Sequence, residues 1–310
     1  MLAYIIRRVL YMIPTILAVA LLVFLLFHEV GEDPVRVALG PHASPEKIAA
    51  LEAKWGLDQP MHVQFGAFLK EIATMDFGRS YVTDEKLSGL FKEGAWVSLS
   101  LTAPPFILGL LLNVALSLLI AFYRGSWFDK LSTAVFIISM SISYLVYIIG
   151  FQYLFAFQLD WFPINGYSWG VASIPYLTLP ILIMLFVRAG PEIRLYRTVF
   201  LDETSEDYVR TARAKGLSEN KILFKHILKN AMIPILTNTV TAIPFLVLGA
   251  FLMERFFSLP GVGDLMITAI NTGDFPVLKG LCMFIAIGYS VFMLLTDILY
   301  AYVDPRVKLG

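Results

Sequence analysis

Groups able to do covalent chemistry are few in this chain and far apart. Four histidines stand at positions 28, 42, 62 and 226, and the single cysteine, Cys282, lies inside an apolar run. Their spacing assembles neither a metal cluster nor a nucleophile with its base. No G-x-x-x-x-G-K-[ST] run is present to cradle nucleotide phosphates. No catalytic residue and no metal ligand is therefore assigned. What the sequence concentrates is fixed charge. Residues 188–229 hold nine Lys/Arg against six Asp/Glu in an otherwise very apolar second half. A basic stretch between membrane spans belongs on the cytoplasmic side.

Within that stretch, residues 202–234 read DETSEDYVRTARAKGLSENKILFKHILKNAMIP. They predict two short helices. Asp202 or Ser205 caps the first, which runs to Lys215, and Gly216 stops it with positive φ. Ser218 caps the second, with Lys221 where a capping box wants Glu. Ile222, Leu223, Ile227 and Leu228 give that helix one apolar face. A helix, a Gly turn and a basic helix also describe a DNA reader. The flanking spans and a net charge of zero argue against that reading.

The elements that must hold this stretch are membrane spans. The chain is 58% hydrophobic over 310 residues, with mean hydropathy +0.73, above the roughly 45–50% of soluble domains. Residues 9–27 carry no charge and follow Arg7-Arg8. That run is longer than a signal-peptide core, so it reads as a retained first span with a cytoplasmic N-terminus. Further spans are expected at 96–122, 131–157, 174–187, 231–253 and 277–302. Pro104-Pro105 should kink or interrupt the second. Asn113 should face other helices rather than lipid. Ser132, Thr133, Ser139, Ser141 and Ser143 favour close packing in the third. The fourth is short and should continue through Tyr196. Residues 28–95 hold seven Lys/Arg against eleven Asp/Glu, the reverse of the basic stretch, and are placed outside. Lys/Arg number 2, 2, 9 and 2 in the four proposed cytoplasmic segments. Both termini therefore face the cytoplasm. The predicted fold is an all-α membrane protein in three parts: residues 1–28, an extracytoplasmic subdomain at 29–95, and a core at 96–310 containing the loop 189–230.

RTARAKGL followed by H-x-L-x-N-A resembles the cytoplasmic loop of binding-protein-dependent ABC importer permeases, in their oligopeptide/dipeptide branch. Arg210-Thr211-Ala212 stands for the family's E-A-A, and Gly216 matches its Gly. Other signatures agree: GEDP at 31–34, GLDQP at 56–60, MDFGRSY at 75–81, RGSW with Asp129, WFP with Gly166-Tyr167, ERFFSLPGVGDL at 254–265, and Asp304-Pro305-Arg306. The resemblance implies a type I permease of six helices whose loop forms a coupling helix seated on a separate ATPase. Asp207, Tyr208, Arg210, Thr211, Ala212, Arg213, Ala214, Lys215, Gly216 and Leu217 would form that element. Ala212 would sit against the partner groove, and Arg210 and Arg213 would pair with acidic residues there or with Asp207. Glu254, Pro260, Gly261, Gly263 and Asp264 would gate the outer mouth or receive the binding protein, unless they form only an ordinary turn. The implied partners are a second homologous permease, one or two ATPases holding ATP and Mg, an extracytoplasmic peptide-binding protein and lipid. Nucleic acid is not among them. The chain itself would need no cofactor. A nickel chelate, a sugar or an antimicrobial peptide are alternative cargoes. A membrane-bound enzyme is disfavoured, since no polar catalytic cluster lies in the spans.

Overall fold

Apolar runs bounded by Gly, Pro and Ser dictate helices, and the computed structural model is helical throughout apart from one isolated β-bridge, Arg79 to Lys86, among its described residues. Those residues are 2–29, 34–39 and 43–303. Most of the GEDP signature, His42 and Asp304-Pro305-Arg306 lie outside them. Among the described residues, four helices are long and apolar enough to cross a membrane: Tyr4–His28, Leu87–Phe122, Gly170–Thr204 and Phe275–Leu299. Two bent helix pairs raise the number to six if each counts as one span.

Backbone contacts divide the chain into two compact units, which differ from the three parts expected. The first comprises the described residues up to 99, with 247–255 and 259–294. It contains α1 (Leu2–Glu29), α2 (Pro34–Leu39), α3 (Pro45–Trp55), α4 (Met61–Thr74) and the beginning of α5 (Leu87–Phe122). Pro45 opens α3 as expected, and Gly56 closes it at φ +69. The helix of the second span begins nine residues early, at Leu87 rather than Trp96. Leu87 and Phe91 are fully buried with Phe24, Phe68, Phe77, Leu281 and Met283, and this packing extends the helix beyond its apolar run. The residues read as a separate subdomain thus share one core with α1 and with α14 (Phe275–Val303).

The second unit comprises residues 100–246, 256–258 and 295 onwards. Helix α5 passes Pro104-Pro105 without a break, a tolerance seen where neighbouring groups satisfy freed carbonyls. The third span is not continuous. Helix α6 (Trp127–Met140) and α7 (Tyr144–Phe151, continued by a π-helical segment Gln152–Gln158) meet at 96°. No proline causes this. Ser139 and Ser141 hydroxyls donate back to the Phe136 and Ile137 carbonyls, and Ser143 is extended and starts a new helix. Ser139 also serves close packing: a β-carbon on Gly190 would stand 3.0 Å from its hydroxyl and 2.9 Å from Met140.

Helix α8 (Ile174–Thr204) runs past Tyr196 to 204, with Pro180 and Pro191 inside it. One ion pair to α6 and one hydrogen bond from α5 anchor it. Arg197 grips Asp129 with two bonds of 2.8 and 2.9 Å, while Gly125 N–H donates to the same carboxylate at 2.9 Å. Arg188 pairs with Glu192 at 2.7 Å, and the buried Asn113 amide donates to Glu192 at 2.8 Å. Asn113 therefore faces a helix, as expected.

The fifth span departs most from expectation. After α9 (Asp207–Ala214), α10 (Glu219–Ile222) leads through a π-helical segment, Leu223–Ile227, into α11 (Leu228–Val240). The helix then stops, nine residues before Gly249. Pro244 cannot donate to the ladder, a short 3-10 segment (Ile243–Leu248) follows, and Gly249 takes φ +72 before α12 (Phe251–Phe257). The segment read as an outer loop contains another helix, α13 (Val262–Thr272), ended by Gly273 at φ +64.

Candidate functional site: a helical hairpin and a buried carboxylate

The first helix of the hairpin starts later than expected. Helix α8 occupies Asp202, and Ser205 closes it, so Glu206 becomes the N-cap of α9, with extended backbone and no side-chain bond. Ser218 has the backbone of an N-cap, but its hydroxyl makes no capping bond. At the other end of α9 the expectation holds. Gly216 lies at φ +74, its N–H donates to Arg213 O at 2.9 Å, and Leu217 N–H reaches Ala212 O at 3.3 Å. This is the double closure of a Schellman turn, with Leu217 packed in the same cluster as Ala212. No atom would crowd a β-carbon on Gly216. Its requirement is for φ, not for space.

Val209 and Ala212, three apart, form the inward face of α9. They are buried with Ile222, Leu118, Phe200, Ala231 and Ile235. Ala212 is 3% exposed, so its small size serves this chain's own core rather than an outer groove. The apolar face expected from Ile222, Leu223, Ile227 and Leu228 packs into the same cluster. Asp207, Arg210, Thr211, Arg213, Ala214 and Lys215 are exposed. Arg210 meets Asp207 at 3.4 Å, while Arg213 meets Glu219 through two bonds of 2.8 and 3.2 Å. The Glu219 contact raises the pKa of Arg213 further. Tyr208 donates to Glu203 at 2.5 Å; burial, then that bond, push its hydroxyl up to about 12. Phe224 was missed by sequence reading. It is 61% exposed on the second arm, off the register of Ile222 and Ile227, and only that break in period marks it.

The second constellation has the opposite character. Glu254, expected at an accessible outer mouth, is fully buried. Its carboxylate accepts from Gly263 N–H (2.7 Å), Asp264 N–H (3.1 Å), Ala250 N–H (3.0 Å) and the Ser98 hydroxyl (2.8 Å). Ser98 in turn accepts from Val262 N–H at 2.9 Å. Two side chains from elsewhere in the fold therefore cap the first turn of α13, where orphan N–H groups and the helix dipole favour an anion. Pro260 and Gly261 make the entry turn, with Gly261 N–H donating to Leu259 O at 2.8 Å. Gly261 is needed for space: a β-carbon there would stand 2.4 Å from the Glu254 carboxylate. One on Gly263 would stand 2.6 Å from Phe251. Asp264 alone reaches outward, pairing with Arg255 at 3.2 Å. A fully buried Glu254 is not itself a contact for a docking protein, and the turn is built around it. No group of three or more His, Cys, Asp or Glu that could hold a metal ion occurs among the described residues.

Comparison with known proteins agrees over the whole length. Residues 113–309 match the family described as binding-protein-dependent transport system inner membrane component. Residues 1–101 match the N-terminal component of the same systems. The chain is 35% identical over 309 residues to the glutathione transport system permease protein GsiC of Salmonella typhimurium. It is 33% identical over 311 residues to GsiC of Escherichia coli O1:K1 / APEC. It is 34% identical over 312 residues to a Brucella abortus protein provisionally named as a peptide transport system permease. In each case the match covers 99% of both chains.

Proposed function

The chain belongs to the inner membrane components of binding-protein-dependent transport systems, and we propose that this multi-pass permease carries peptides inward through a six-span type I fold with both termini in the cytoplasm. The charge asymmetry of its loops supports that orientation. Glutathione, itself a small peptide, belongs in the panel of cargoes because of the names its relatives carry. The chain works with a second permease, an extracytoplasmic peptide-binding protein and ATPase subunits that hold ATP and Mg.

One observation carries the coupling role: the α9–α10 hairpin is fixed to its own core by Val209, Ala212 and Ile222 while its opposite face is exposed and charged. Such an element moves as a rigid lever when a partner pushes on it. Arg210, Arg213, Lys215 and the exposed Phe224 form the surface offered to the ATPase, with Phe224 as the apolar anchor. Nucleotide-driven closure then shifts the populations of inward- and outward-facing states.

The test is reconstitution with the cognate subunits in liposomes, followed by uptake of a peptide panel including glutathione. Phe224→Ala should keep membrane insertion and lower both stimulated ATPase activity and uptake. Normal, tightly coupled uptake in Phe224→Ala and in Arg210→Glu/Arg213→Glu would refute the assignment of this face.

A further inference from the structure

We propose that the cavity walled by α1, α3, α4, the 77–84 loop and the start of α14 binds a small zwitterion, whose anionic group meets Lys279 and whose ammonium group meets Glu71. The cavity is a cleft open on one side, offers about 1100 Å³ and lies wholly within the first unit. That is ample for a compact ligand, since such pockets usually measure roughly 300–1,000 Å³.

The walls are aromatic. Phe24 packs against Phe65 at 5.2 Å and Phe68 at 6.2 Å between ring centres. Trp55 and Tyr81 stack in parallel at 3.5 Å and present a flat side. Most polar groups around the cavity are already engaged. Ser80 donates to Asp274, whose other oxygen accepts Tyr81 N–H at 3.1 Å. The Gln64 amide donates to the Leu57 and Gln59 carbonyls. Arg79 pairs with Asp84 at 3.5 Å.

His28, Glu52 and Lys54 also line the cavity without a side-chain hydrogen bond, but the oppositely charged pair closest to the Phe24 wall is Lys279 and Glu71, each within electrostatic reach of the other. Both are half-buried and line the same cavity, yet neither side chain has a hydrogen bond or direct ion pair among the described residues. Lys279 Nζ stands 6.0 Å above the Phe24 ring. Burial raises the pKa of Glu71, and the Lys279 charge only partly pulls it back. Charges drawn from water without a direct partner are costly, and a ligand bearing both complementary charges relieves both at once. A ligand with one charge relieves only one. An apolar body would lie along Phe24 and the Trp55–Tyr81 stack. An amino acid or peptide has this chemistry, and so does an ethanolamine lipid headgroup. The site uses no residue of the hairpin, and only its sidedness rests on the topology proposed above.

The experiment titrates the full chain in neutral maltoside micelles, reading tryptophan fluorescence. One probe is the dipeptide alanyl-leucine, the other dihexanoyl phosphatidylethanolamine. N-acetyl alanyl-leucine and dihexanoyl phosphatidylglycerol lack the ammonium. Saturable binding of at least one zwitterion is expected. Lys279→Met, Glu71→Gln and loss of the ligand ammonium should each weaken it about tenfold or more, the scale of one charge-assisted hydrogen bond. Lys279→Arg should retain binding and shows that position 279 tolerates substitution. Saturation by the dipeptide alone assigns the site to a solute, and by the lipid alone to a headgroup. Absence of saturable binding by either zwitterion, or affinities unchanged in both Lys279→Met and Glu71→Gln, overturns the proposal.

Discussion

The hairpin around Gly216 and the turn around Gly261 both rely on glycine, for opposite reasons. Gly216 has positive φ and open space where a β-carbon would go. Gly261 has φ −91, available to any residue, and a carboxylate where a β-carbon would go. The first glycine allows the chain to turn back while leaving a free surface. The second lets backbone close over a buried anion. The charges divide in the same way: exposed pairs at Arg210 and Arg213, against one fully buried Glu254 with four donors. A surface meant for a partner keeps its charges wet, whereas an internal capping group is satisfied by its own chain.

The difference fixes an order of effects. Glu254→Ala should be the most damaging change, because it strands several N–H groups of a buried helix start. Each lost partner costs about 1–3 kcal/mol. The expected result is a large fall in the Tm of the purified protein, or no folded protein at all; a Tm within a degree or two of wild type would contradict the cradle.

Gly261→Ala should follow, at about 1–3 kcal/mol, the usual cost of overpacking. Gly263→Ala should behave alike, and thermal unfolding in detergent reads both.

Gly216→Val meets no neighbour and has only backbone strain, about 1–2 kcal/mol in a left-handed conformation. Its signature should be functional: normal insertion and Tm within a few degrees, with ATP hydrolysis uncoupled from uptake. Uptake that stays tightly coupled would remove this hairpin from the coupling role. Gly216→Asn, which tolerates positive φ, should restore much of the coupling.

The smallest effect on stability is expected from Arg213→Ala. An exposed ion pair contributes about 0–1 kcal/mol and weakens with salt. Tm should hardly move. If Arg213 also contacts the ATPase, as proposed, the variant's loss of stimulated hydrolysis should shrink at high salt.

Much of this was legible in the residues. The long uncharged runs could only become apolar helices, the basic stretch stood out by composition, and Gly216 announced its turn because few other residues accept that backbone. Pro45 and Gly56 likewise bounded α3. The family resemblance of the 202–234 stretch matched the comparisons with known proteins. Local sequence suffices where the cause is local: a missing N–H, a permissive φ, or an uninterrupted apolar segment.

Other features needed the tertiary structure, because their causes lie far apart in the chain. Glu254 looked like an accessible acid until Ser98, 156 residues away, closed on it. Ala212 looked available to a partner until Phe200 and Ile222 covered it. The break at 141–143 depends on serine hydroxyls whose alternatives, packing or back-bonding, composition does not separate. Helix α5 starts early because Leu87 and Phe91 find a core made by α1 and α14. Lys279 and Glu71, more than two hundred residues apart, acquire a common cavity only once those helices pack. Sequence determines which segments must leave water, and by what local turns. Which polar side chain ends up buried, paired or facing an open cavity is decided by distant contacts, since burial and pairing energies depend on neighbours that no local window contains.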